Sequence, residues 1–253
     1  MSPNYLYVIL ALIGILPSLI WLNLYLRKDS HPEPRAMILK TFLMGIMIAP
    51  AVLLLQLLFV QAAESLCACA VGTRSPEFFL WGAGVEELFK FLAVYIVAIR
   101  SPAFDEPIDA MIYLITAALG FAAMENMIYL ARTVQQGLTM DYSLVQHIQA
   151  ALAVWTLRFT GATLLHTLSS AIAGYFLAMS WFYRHHAKPL IIMGLAVATL
   201  FHFAFNVFVS LPGNQSEITA LALSTTLLLI MAFLVSVLFD KIRERYAQSV
   251  RTI

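Results

Sequence analysis

Charge is what this sequence has least of. Asp, Glu, Lys and Arg make up only 11% of its 253 residues, against about a quarter in a water-soluble globule. So few charges cannot cover a water-facing surface or build a basic face for nucleic acid, and a net charge of +1 points to no polyanionic partner. Cysteine is scarce as well. Cys67 and Cys69 are one residue apart, a spacing that suits neither a zinc module nor an ordinary disulfide framework. No internal repeat or low-complexity tract is visible. No positive n-region precedes the first apolar run, which reads as an uncleaved anchor rather than a signal peptide.

What is abundant is apolar: 61% of the residues are hydrophobic and the mean hydropathy is +0.84. Apolar runs of about 18 residues or more read as transmembrane helices. Seven are present, at roughly 4–26, 36–60, 77–99, 107–131, 157–182, 189–211 and 217–239, with 141–156 read as a short interfacial helix leading into the fifth. The expected fold is therefore all-α: a polytopic transmembrane bundle of about seven spans, forming a single integral membrane domain over residues 1–253. Eleven of the 15 Lys and Arg residues fall in one set of loops, among them Arg27, Lys28, Arg35, Arg184, Lys241 and Arg243. Arg74, Arg132 and Arg158 fall on the other side, and Lys90 lies within a span. The positive-inside rule then places the N-terminus outside and the C-terminus in the cytoplasm, in an inner or plasma membrane. Arg158 reads as a snorkelling interfacial anchor, Asp109 as a helix-terminus residue and Trp21, Trp81, Trp155 and Trp181 as belt anchors.

Four spans carry residues that hydrocarbon tolerates poorly. These are Glu86, Glu87 and Lys90 in the third, Glu125 and Asn126 in the fourth, His166 with Ser169 and Ser170 in the fifth, and His202 and Asn206 in the sixth. An ionisable group near the bilayer centre costs on the order of 3 kcal/mol even on lenient scales, so several of them should face one another. At about 100° per residue Lys90 projects between the two carboxylates of its helix and can pair with either. At about 1.5 Å per residue, Glu86, His166 and His202 lie roughly 14 Å below the outer surface and Glu125 roughly 9 Å. Four helices thus place polar residues in one half-layer, which points to a single site.

Four patterns in this order resemble the PrsW family of membrane proteases, within the wider superfamily of CAAX prenyl endopeptidases and bacteriocin-processing enzymes. They are Glu86-Glu87-x-x-Lys90; Gly120-Phe121-x-x-x-Glu125-Asn126-x-x-Tyr129; His166 with Ser170 and Gly174; and His202-x-x-x-Asn206. The charged, Pro-containing stretch from Arg27 to Gly45 is also similar, and the likeness covers about residues 25–210. The resemblance implies an intramembrane endopeptidase acting on membrane-protein substrates, with a single-pass anti-sigma factor as one known kind. It implies either a glutamate that activates water, with His and Asn stabilising the oxyanion, or a metalloprotease.

The residues suit both. Peptide hydrolysis needs a base for water, a proton donor for the leaving amine and donors for the oxyanion. Glu86 is expected as general base with Glu87 as its orienter, or the reverse, and Lys90 holds one of them. Glu125 completes the acid/base set or fixes a histidine tautomer. His166 positions water or moves a proton, and His202 and Asn206 face the oxyanion, with Asn126 and Ser170 in support. No cofactor is favoured, because no helix carries an HExxH-like histidine pair. Zinc held by Glu86, Glu87, His166 and His202 is the alternative. Two rival functions use the same residues: a proton or divalent-metal transporter, and a non-catalytic membrane scaffold. Neither an inverted repeat nor a broken span supports the first, and a scaffold has no need of three carboxylates and two histidines at one depth.

Overall fold

The structure is a computed structural model that describes residues 3–29, 31–67, 71–210 and 217–251. Among the described residues all regular structure is helical: α1 (Pro3–Leu26), α2 (Arg35–Cys67), α3 (Pro76–Val97), α4 (Asp109–Thr139), α5 (Leu144–Leu157), α6 (Thr163–Phe182), α7 (Ala187–Ser210) and α8 (Glu217–Arg251). Six stretches are long and apolar enough to cross a membrane: Ile9–Leu26, Arg35–Ser65, Asp109–Thr139, Leu144–Phe182, Arg184–Ser210 and Glu217–Val250. The 22-residue α3 is also long enough, at roughly 33 Å, but holds Glu86, Glu87 and Lys90 in its middle. With it the bundle has the seven expected members. Cys69 lies outside the described residues.

The fifth member departs from expectation. No break separates an interfacial helix from a span; α5 runs into α6 through one π-helical turn, Arg158–Ala162, as a single 39-residue apolar stretch. No proline or capping residue interrupts the junction, and a π turn absorbs an extra residue without ending the helix.

The centre of the bundle is α4, which packs against α1, α2, α3, α5 and α6. Small residues let its neighbours approach: Ala117, Ala118, Gly120, Ala122 and Ala123 are all buried. The closest crossing joins Gly45 of α2 to Gly120 of α4. A Cβ on Gly120 would lie 2.0 Å from the Phe42 carbonyl oxygen, and one on Gly45 2.1 Å from that of Ala117. One apolar core runs from Leu22 to Ile242. Leu12, Leu16, Met47, Leu229 and Phe233 point outward, the reverse of a water-facing surface.

Two of the tryptophans expected in the interfacial belt also join helices. Trp21 Nε1 donates to the Phe159 carbonyl at 3.1 Å and Trp155 Nε1 to that of Ile13 at 3.0 Å, and both rings stack on Phe159. An indole N–H in an apolar setting needs an acceptor, and these backbone carbonyls provide one.

Candidate functional site

The polar residues of α3, α4, α6 and α7 meet in one buried cluster. Glu87 is fixed from every side: Oε1 accepts from Lys90 Nζ at 2.8 Å, His202 Nδ1 at 2.9 Å and Ser169 Oγ at 3.0 Å, and Oε2 accepts from Ser170 Oγ at 3.1 Å. Glu86 is not fixed in this way. Its Oε1 accepts from Gln56 Nε2 of α2 at 3.0 Å, while Oε2 is buried with no hydrogen-bond partner. That oxygen faces His202 Nε2 at 3.6 Å, and His166 Nδ1 and Lys90 Nζ at 3.8 Å each.

The network also sets the histidine tautomers. Lys90 can only donate, so His166 Nδ1, at 2.8 Å from its Nζ, must accept. The imidazole proton of His166 is then on Nε2 and is donated to Glu125 Oε2 at 2.8 Å. His202 gives its Nδ1 proton to Glu87, which leaves Nε2 aimed at Glu86. Phe121 lines the floor, edge-to-face with His166 and with Lys90 Nζ 5.0 Å from its ring centroid.

Arg158 belongs to this cluster, contrary to its expected role as a snorkelling anchor. Its Nη2 donates to Glu125 Oε2 at 3.0 Å, its Nε to Asn126 Oδ1, and its guanidinium lies 4.2 Å from the Tyr129 ring centroid. The physical reason is the π turn: it begins at Arg158, so that side chain is carried by a helix wall, not a helix end. Asn126 also donates to Thr163 Oγ1 at 3.1 Å. Lys90 lies closest to Glu87 and Arg158 to Glu125, while Glu86 keeps only the longer 3.8 Å contact with Lys90.

The cluster opens into a cavity of about 950 Å³ between α2, α3, α4, the π turn, α6, α7 and α8. Glu86, Glu125, Arg158, His166 and His202 reach it, as does Asn206, one turn beyond His202; Glu87 and Lys90 lie behind. Gln56 was missed from sequence, although a lone amide in an apolar span is the same signal that marked the others. The site also has the form of a metal site: ligand atoms of Glu86, His166 and His202 lie within 4.8 Å of one another. Neighbouring ligands of a tetrahedral zinc are roughly 3.3 Å apart, close to the 3.6 and 3.8 Å from Glu86 Oε2 to the two imidazoles. The two histidines come from different helices, α6 and α7, and the carboxylate from a third, α3.

Comparisons with known proteins place the chain in a family. The family described as PrsW family intramembrane metalloprotease matches residues 33–238, most of the chain and all of the cluster. The chain belongs to the PrsW family. Protease PrsW of Geobacillus kaustophilus is 34% identical over 118 residues, 46% of this chain and 50% of that protein. Protease PrsW of Oceanobacillus iheyensis is 28% identical over 76% of this chain and 79% of its own length, and that of Bacillus subtilis 26% over 79% and 83%. No solved structure matches the chain. PrsW membership and the apolar helices make this a multi-pass protease of the cell membrane.

Proposed function

We propose that the chain hydrolyses peptide bonds of membrane proteins with a water molecule activated by Glu86. The observation that carries this reading is the unpartnered Glu86 Oε2, buried at the inner end of a large cavity and facing both imidazoles. Glu86 takes a proton from water as it attacks the scissile carbonyl. His202 Nε2, within reach of the same oxygen and backed by Glu87, carries the proton to the leaving amine. The Glu87 carboxylate stabilises the imidazolium that forms in between. Asn206, on the cavity wall, donates its amide to the oxyanion. His166, with both ring nitrogens engaged by Lys90 and Glu125, holds those two groups in place beside Glu86. A single-pass membrane protein, such as an anti-sigma factor, is the substrate this reading favours. To test it, purified protein is mixed with single-pass membrane proteins of its host and the products are mapped by mass spectrometry. Glu86→Gln should remove cleavage with the fold retained; an active Glu86→Gln protein overturns the reading.

The near-tetrahedral spacing favours a second reading, in which Glu86, His166 and His202 hold a divalent metal. Such an ion would supply Lewis acidity to the scissile carbonyl and to a water molecule. Glu87 would then hold His202, and Glu125 would hold His166, as carboxylates hold metal-bound imidazoles. Against it, the Lys90 ammonium already sits on His166 Nδ1 and brings a positive charge there. Turnover that survives strong chelation, in protein free of stoichiometric metal, supports the first reading. Inactivation by chelator with rescue by zinc decides for the second.

A further inference from the structure

A second group of carboxylates lies at the other end of the bundle. Asp29 and Glu33 are in the α1–α2 connection, and Asp109 opens α4, 16 residues and thus roughly 24 Å along that helix from Glu125. One ligand oxygen from each lies within 4.8 Å of the others. We propose that Asp29, Glu33 and Asp109 form a binding site for a divalent cation with oxygen ligands, separate from the Glu86 cluster, that ties the α1–α2 connection to the start of α4.

The partners of these carboxylates account for only part of their bonding capacity. Asp109 Oδ2 accepts from the backbone N–H groups of Asp105 and Glu106 at 2.9 and 2.7 Å. Glu33 accepts from the Tyr113 hydroxyl and approaches Asp109 to hydrogen-bonding reach. Asp29 Oδ1 accepts from the His31 N–H at 2.9 Å, but its Oδ2, on a residue only 8% exposed, is buried with no partner. Among the described residues no Lys or Arg lies within ion-pair distance of any of the three. The nearby His31 is bound to Glu106, and Arg243 to Asp240 and the Lys28 carbonyl. Burial pushes the Asp29 and Glu33 carboxyls up from the ordinary range, and the charges of His31 and Arg243 offset only part of that for Asp29.

A shared proton can relieve the Glu33–Asp109 contact, but it leaves Asp29 Oδ2 unsatisfied. A cation serves all three at once. Two oxygens on one Ca²⁺ at roughly 2.4 Å are no more than about 4.8 Å apart, and an all-oxygen donor set selects Ca²⁺, Mn²⁺ or Mg²⁺ over zinc.

Mn²⁺ is the probe. In the purified, metal-stripped full chain, electron paramagnetic resonance should show one bound Mn²⁺ that is retained in the Glu86→Gln/His202→Ala protein. Asp29→Asn and Glu33→Gln should each weaken it at least about 10-fold. Saturating Mn²⁺ or Ca²⁺ should raise the thermal midpoint by roughly 5–10 °C in the active-site variant and much less in Asp29→Asn. Three results overturn the proposal: no bound Mn²⁺, Mn²⁺ lost with Glu86 and His202 but not with Asp29, or a midpoint that rises on acidification and ignores cations. None of them touches the assignment of Glu86, which stands or falls on cleavage.

Discussion

Glu87 accepts four hydrogen bonds and Glu86 one, so their isosteric amides should fail in different ways. Glu86→Gln keeps the bond to Gln56 and removes only the free oxygen's charge; turnover should fall to background while thermal unfolding stays close to wild type. Glu87→Gln leaves the fully buried Lys90 ammonium without its carboxylate, at a cost of about 3–5 kcal/mol for breaking a buried pair from one side. Its protein should melt earlier and express less. Adding Lys90→Met to Glu87→Gln should restore much of the melting temperature and none of the turnover, a double-mutant cycle read by calorimetry beside a cleavage assay. The spacing of Glu86, Glu87 and Lys90 was legible in sequence and placed the lysine between two carboxylates. Which carboxylate it holds was not, because Ser169, Ser170 and His202 decide that from α6 and α7. A residue's partners across a bundle are not written in its own helix.

Helical periodicity marks which residues share a polar face, but two features of the elements leave no such trace. The first is the π turn at Arg158–Ala162, which turns an expected anchor into a partner of Glu125 and Asn126. Deleting Thr160 should restore α-helical winding there and rotate everything N-terminal by about 100° relative to α6. Arg158 would leave the cluster, so turnover should drop although the helix continues. Wild-type turnover in that deletion would show that Arg158 is dispensable. Arg158→Lys should behave similarly but more mildly, since an ammonium cannot reproduce the forked contact with Glu125 and Asn126. The second is the Gly45–Gly120 crossing. Gly120 was visible as part of a motif, but its contact with the Phe42 carbonyl depends on how α2 lies across α4. Gly120→Ala should push the two helices apart and lower the melting temperature. Because α2 carries Gln56, it should also release Glu86 Oε1.

The whole molecule was legible as far as its apolar runs and charge asymmetry reached: an all-helical bundle with one polar layer. The cavity was not, since it is the space left when α2, α3, α4, α6, α7 and α8 fail to close around that layer. The cavity has a mechanistic consequence. The cavity walls beside Glu86 include the apolar Leu53, Leu57, Leu164, Phe205 and Leu228, so on the proposed function a substrate would enter from the lipid side or from the mouth near Arg74 and Arg132. A substrate segment that crosses the bilayer is helical, and its scissile carbonyl is then bonded within its own helix and screened from attack. If Glu86 and Asn206 act as proposed, the substrate must be locally unwound, because an intact helix about 10 Å across cannot present a backbone carbonyl to Asn206 and to a water on Glu86 together. Cleavage should therefore respond to helix propensity in the substrate. Replacing the two residues that flank the mapped scissile bond by Gly should raise the turnover of a single-pass substrate, and replacing them by Leu should lower it, with binding little changed. The comparison is made in proteoliposomes with the substrate's orientation fixed. If the N-terminus of the enzyme is outside, only substrates whose susceptible segment lies in the outer half of the bilayer should be cut. Cleavage confined to the cytoplasmic half, or indifferent to Gly and Leu, would mean that the layer holding Glu86 does not meet substrate from that side.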